Sequence, residues 1–146
     1  MIIKKATINE LDSLTELFDL YRKFYEQESD LDGARKFLKE RIMNEESEVF
    51  IALEGSKPLG FVQLYPSFSS VSMQSSWILN DLFVKESARG QGVGEKLMKI
   101  ALEFAKKTRA KGVLLETAED NITAQRLYEK LGFEREANYF YYFNIK

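Results

Sequence analysis

At 146 residues and 17.0 kDa with 45% apolar side chains, the chain suits one domain, 1–146, because chains of about 150 residues bury roughly 70% of their unfolded surface. A net charge of −2 with no long basic run argues against a nucleic-acid face, whose affinity rests on clustered Lys and Arg. The sequence has no Cys and no His, which excludes a disulfide framework, a thiolate nucleophile, a Cys/His zinc site and any Ser-His-Asp triad.

No apolar run approaches the ~20 residues that span a bilayer, and Met1 to Lys5 lacks the apolar core of a signal peptide. The expectation is a cytoplasmic protein with no metal, membrane or nucleic-acid partner. Ile2 to Ile8 reads as a first strand. Asn9 then caps a helix whose stripe of Leu11, Leu14, Leu17, Phe18, Tyr21, Phe24 and Tyr25 turns aromatic toward its end. An acidic stretch, Glu26, Glu28, Asp30 and Asp32, reads first as a solvated loop, with attraction of a cationic amine as the other reading. Asp32 caps a second helix from Gly33 to about Asn44.

Val49 to Leu53 and Leu59 to Tyr65 read as a hairpin around Glu54–Pro58. Pro66 to Ser76 is rich in serine and without period, either a loop or a poorly regular hairpin connection. Trp77 to Val84 is a strand, interrupted only by Asn80 and Asp81. Gly112 to Ala118 is a strand parallel to it, Asn121 caps a last helix that stops at Gly132, and Ala137 to Ile145 is a final strand dense in aromatics. That strand would suit a homodimer edge or face.

Between Val84 and the helix from Glu95 to Arg109 stand Arg89, Gly90, Gln91, Gly92, Val93 and Gly94, where a strand hands over to a helix. The first turn of a helix leaves N–H groups unpaired and carries partial positive charge, so it attracts phosphate where side chains stay clear. Arg89 can add a charge-assisted contact from the rim. A P-loop needs Lys and Ser/Thr after its last glycine, but Glu95 follows Gly94. A dinucleotide-binding turn has its third glycine one residue later. On this segment alone, a pyrophosphate cradle and a merely flexible glycine loop both stand.

Arg89 to Gly94 after Asp81-Leu82-Phe83-Val84 resembles the acyl-CoA motif of the GNAT superfamily of N-acetyltransferases, Gln/Arg-x-x-Gly-x-Gly/Ala. Asn121 to Phe133 is similar to that family's other cofactor motif. The resemblance covers essentially the whole chain. It implies a mixed α/β fold: a mostly antiparallel sheet of about seven strands with a splayed parallel pair, flanked by four helices. It also implies acetyl-CoA as acyl donor, held by the backbone of Leu82, Phe83 and Val84, by Arg89 to Gly94 and by Asn121. Tyr128 matches the tyrosine that protonates the departing thiolate, help of a kind worth about 10²–10⁴ in rate.

The acceptor side is expected at Tyr25, Asn80 and Asp81. Some relatives carry a glutamate at the position of Ile78, and diamine acetyltransferases, nearest in overall pattern, an acid at Asn80; neither is present. Strand alternation places Asp81 on the face opposite Asn80. The leading expectation is transfer to a primary amine of a small molecule within a ternary complex. The alternatives are a protein or peptide amine as acceptor, or an acyl-CoA-binding module without turnover.

Overall fold

The computed structural model describes residues 1–145. The chain divides into two compact units, Met1–Glu116 and the residues from Thr117 onward. In the first, a five-stranded sheet has the order β1-β2-β3-β4-β5, with β1 Ile2–Lys5, β2 Glu48–Glu54, β3 Lys57–Ser69, β4 Gln74–Val84 and β5 Val113–Leu114. The pairs from β1 to β4 are antiparallel and β4–β5 is parallel. Helices α1 Leu11–Phe24, α2 Leu31–Met43 and α3 Val93–Lys107 belong to this unit, and α4 Ile122–Lys130 to the second.

The α1 stripe is the amphipathic face expected. Leu11, Leu14 and Leu17 are fully buried against Leu38 of α2 and Ile51, Phe61 and Phe83 of the sheet. On α3, Leu97, Met98 and Ala101 are fully buried as well, and Phe104 meets Phe50 and Trp77 at ring-centroid distances of 5.6 and 5.1 Å. With apolar residues on both faces, the middle of β2 and β3 reads as a continuous buried run.

Several boundaries differ from the sequence reading. The first strand stops at Lys5, and Thr7 rather than Asn9 caps the 3-10 turn Ile8–Glu10, in a reciprocal box with Glu10. Asp30, not Asp32, caps α2: its Oδ1 accepts from the Gly33 N–H at 2.9 Å, because the chain reaches helical geometry at Leu31. Of the two readings of Pro66 to Ser76, the hairpin connection holds, and most of it is strand. Pairing of β3 with β4 runs out to Ser69–Gln74, and the lack of an apolar period reflects exposure of both faces there. Pro66 is tolerated because β2 ends opposite Leu64, leaving that stretch of β3 an edge with no ladder bond to donate.

The sheet has five strands among the described residues, not about seven. The strand expected over Gly112 to Ala118 pairs only at Trp77–Val113 and Ile78–Leu114, and no strand forms over Ala137 to Ile145. Aromatic density is a preference for a pleated, half-buried surface, and it forms a strand only where a neighbour supplies the ladder. The mixed α/β class and the four helices stand.

Candidate active site

At the end of β4 the backbone of Leu82, Phe83 and Val84 pairs on one side with Val62, Phe61 and Gly60 of β3. The other side has no β5 partner, since the parallel pairing ends at Ile78. Gly60 is a requirement that sequence reading missed. A Cβ there would lie 2.6 Å from the Phe83 carbonyl oxygen, so β3 approaches β4 closely behind this segment.

A 3-10 turn, Glu86–Ala88, leads to an extended Arg89 and then to Gly90 and Gly92 at φ 80° and 77°. Those left-handed angles are what the two positions need glycine for. A Cβ at either would meet nothing within 4 Å, so the space in front of the turn is open. Gly92 is the N-cap of α3 and supplies no side-chain cap bond. The first-turn N–H groups of α3 therefore lack the usual side-chain acceptor, while buried Val93 and Leu97 pin the helix to the sheet. Gln91 is exposed beside them and Gly94 lies within the first turn. This arrangement fits a diphosphate.

The Arg89 Nε donates to the Val84 carbonyl at 3.0 Å, and its guanidinium sits 5.9 Å from the ring centroids of both Phe24 and Phe83. Arg89 is thereby aimed rather than loose. An open cavity of about 700 Å³ adjoins it, lined by Leu20, Phe24, Phe83 and Ser87 with Lys23, Lys85 and Arg89 against one carboxylate, Glu86. The cationic excess favours an anionic ligand.

Further back on β4, the register shifts between Gln63 and Leu64: Gln63 faces Asp81 while Leu64 faces Leu79, so Asn80 is an extra residue. This bulge overturns the alternation argument. Asn80 and Asp81 do not act on opposite faces; the exposed Asn80 donates from Nδ2 to Asp81 Oδ1 at 3.1 Å. Asp81 is buried and accepts on Oδ2 from Gln63 Nε2 at 2.6 Å. Burial pushes its carboxyl above the ordinary value, against the bonds from Gln63, Tyr21 and Asn80 that favour the charged form.

The Tyr21 hydroxyl donates to the Asn80 carbonyl at 3.4 Å, and burial, then the Asp81 charge, pushes it far above the usual phenol value. Tyr65 is pushed up to about 12, by burial first and Asp81 second, with Arg41 pulling the other way. Tyr25 is exposed and packs edge-on against Tyr21 at 5.1 Å. Tyr25, Asn80 and Asp81, the residues expected on the acceptor side, are thus connected through Tyr21. Gln63 and Tyr21 were not singled out from the sequence as site residues, although a lone amide in the apolar run Leu59–Tyr65 was a usable signal.

Close by, Asp19 fixes the connection from α1 to α2. It accepts from Ser29 Oγ at 2.7 Å and from the Asp30 N–H at 2.8 Å.

In the second unit, Asn121 is the N-cap of α4, its Oδ1 accepting from the Ala124 N–H at 3.2 Å. Gln125 ties the preceding loop with bonds from Nε2 to the carbonyls of Ala118 and Glu119 at 3.0 and 2.9 Å. Tyr128 lies on α4 with its ring 6.0 Å from that of Phe133, and Gly132 ends the helix at φ 103°. Among the described residues no group of three or more His, Cys, Asp or Glu stands together to hold a metal. Nor is any described helix long and apolar enough to cross a membrane.

The model of the Acetyltransferase (GNAT) family matches residues 14–133. Over 142 residues the chain is 44% identical to YhfO of Bacillus subtilis (strain 168), described as an uncharacterized N-acetyltransferase, covering 97% of this chain and 95% of that protein. A probable acetyltransferase of Haemophilus influenzae is 33% identical over 135 residues, with 92% and 90% covered. A solved crystal structure of a probable acetyltransferase superposes with a TM-score of 0.93 at 42% identity, covering 100% of this chain and 99% of that one. With the glycine turn, the uncapped helix start and these relatives in agreement, the chain belongs to the GNAT acetyltransferase family and is an acetyltransferase enzyme.

Proposed function

We propose that the protein, acting as one catalytic domain over 1–146, transfers the acetyl group of acetyl-CoA to a primary amine of a small molecule, by direct attack in a ternary complex. The observation that carries this reading is the strand-turn-helix from Leu82 to Gly94. Its open backbone edge suits an amide-rich pantetheine arm, and its uncapped first turn with Arg89 at the rim suits a diphosphate. Gly90, Gln91, Gly92, Val93 and Gly94 present N–H groups there, and Asn121 is a further cofactor-binding residue of the proposal.

Acetyl-CoA supplies a thioester acyl group. The amine nitrogen forms a bond to the acyl carbon, the carbon–sulfur bond breaks, and Tyr128 gives a proton to the sulfur. A phenol near 10 and a thiol near 8.5 are matched well enough for that transfer when they are adjacent. Asn80 and Asp81, with Tyr25 at the mouth, receive the amine, the carboxylate attracting its positive charge. The proton the amine sheds leaves through water, because no exposed carboxylate stands at Ile78 or Asn80. The same proposal includes a cytoplasmic location and a homodimer, with no nucleic acid, membrane or metal as partner.

The test is thiol release from acetyl-CoA across a panel of diamines, aminoglycosides, amino acids and peptides with free N-termini or lysines. Release with a small amine sustains the proposal. Release with peptides alone moves the acceptor to protein amines, and binding of CoA without release on any amine removes the activity.

A further inference from the structure

Gln63 is the amide within the apolar run Leu59–Tyr65, and it is fully buried. An apolar side chain there would leave no polar atom to satisfy, whereas the Gln63 Oε1 is buried with no donor among the described residues. An unmet buried acceptor lowers stability, so a position that keeps one points to a task the amide performs. Its other end shows that task. The Nε2 donates to Asp81 Oδ2 at 2.6 Å, the short length expected of a bond to a charged acceptor.

The bulge at Asn80 gives Asp81 a second amide. Asn80 Nδ2 donates to Oδ1 at 3.1 Å, so each carboxyl oxygen has its own donor. Burial opposes the charge of Asp81, and the groups that favour it, Gln63 first and then Tyr21 and Asn80, are all uncharged. Among the described residues no lysine or arginine pairs with this carboxyl, and α3 brings no charged group to it. The other titratable groups facing it are Tyr21 from α1 and Tyr65 from β3. Both phenols are pushed upward by burial, Tyr65 to about 12, with Arg41 of α2 acting on Tyr65 in the opposite sense. Asp81 is therefore the group of this cluster that titrates in the range where an amine is a cation. A carboxylate held by amides and left without a cation has room in its charge balance for one positive ligand. All of these groups lie in the first unit.

We propose that Gln63 is a positioning residue for the acceptor: its N–H holds the Asp81 carboxylate charged beside Asn80, and the amine is taken up there as its ammonium ion. The assignment rests on the proposed function for its acceptor step. The hold of Gln63 on Asp81 follows from the hydrogen bonds alone.

The experiment follows the Asp81 carboxyl carbon by NMR against pH in the wild type, Gln63→Met and Gln63→Glu. Over the same range kcat and KM are measured with the panel amine that releases most thiol. In the wild type KM is expected to fall as pH rises through the Asp81 midpoint. In Gln63→Met that midpoint moves up by about one to two pH units, the worth of one hydrogen bond to a charged group. Between the two midpoints the KM of this variant is roughly tenfold above the wild type, with kcat within a few-fold. The carboxyl of Gln63→Glu shares a proton with Asp81 and leaves the pair one negative charge, so its KM stays within a few-fold of the wild type. A midpoint unmoved in Gln63→Met overturns the assignment. So does a wild-type KM with no break at the Asp81 midpoint, a result that needs no variant to fold. Thiol release with no amine removes the proposed function and the acceptor step with it, and the midpoints then still uphold or refute the hold of Gln63 on Asp81.

Discussion

Gln63 donates to the Asp81 carboxylate at 2.6 Å while its own buried Oε1 accepts no bond. An amide with one end satisfied and a carboxyl held above its ordinary value form an imperfect pair. Its imperfection has a sign. A carboxyl raised in the folded state gives stability that is complete below its unfolded value and is lost as pH rises through the folded one. The thermal midpoint of the wild type therefore falls over that window, and Asp81→Asn removes the fall, since its amide can donate to a turned Gln63. Melting curves from about pH 4 to about pH 8 read this, and parallel profiles for the two proteins would contradict it.

Asp19 behaves oppositely. Burial opposes its charge, yet the bonds from Ser29 and Asp30 win and hold the carboxyl below its usual value. Such a group gives stability above its unfolded value that is lost as pH falls through the folded one. Asp19→Ala is expected to cost about 1–3 kcal/mol at neutral pH and to loosen residues 25–30, seen as denaturant midpoint and faster amide exchange there. An unchanged midpoint would mean that water replaces the carboxylate.

For Arg89→Ala, loss of a charge-assisted phosphate contact worth about 1.5–3 kcal/mol weakens CoA by roughly 10–100-fold. Calorimetry at two salt concentrations checks it, with the salt dependence shrinking in the variant. Equal affinity in both proteins would place the diphosphate elsewhere.

Tyr128→Phe keeps the ring and removes the proton. Its kcat is expected to drop by about 10²–10⁴ with acetyl-CoA affinity within a few-fold. Unaltered kcat with chemistry limiting would exclude Tyr128 from the mechanism.

A primary amine with pKa near 10 is only about 0.1% neutral at pH 7, so a site without an exposed carboxylate base gains rate as pH rises. A flat profile from about pH 6 to about pH 9 would place an internal base next to the amine.

The sequence by itself determined the glycine turn that leads into α3. Glycines at 90 and 92 between an apolar strand and an amphipathic helix take left-handed backbone angles and leave the helix start without a side-chain cap, and these are local consequences of residue type. It also determined the α1 and α3 faces, because helical periodicity needs no distant partner to be legible.

Tertiary structure alone decided how Asn80 and Asp81 are placed. The bulge at Asn80 exists only because β3 and β4 pair in one register, and it turns two residues assigned to opposite faces into hydrogen-bonded neighbours. The same dependence on partners explains the strands. Pro66 to Ser76 looks irregular by composition yet pairs as a hairpin, whereas Ala137 to Ile145 looks like a strand and forms none. Side chains state a preference, and a ladder requires another backbone to complete it.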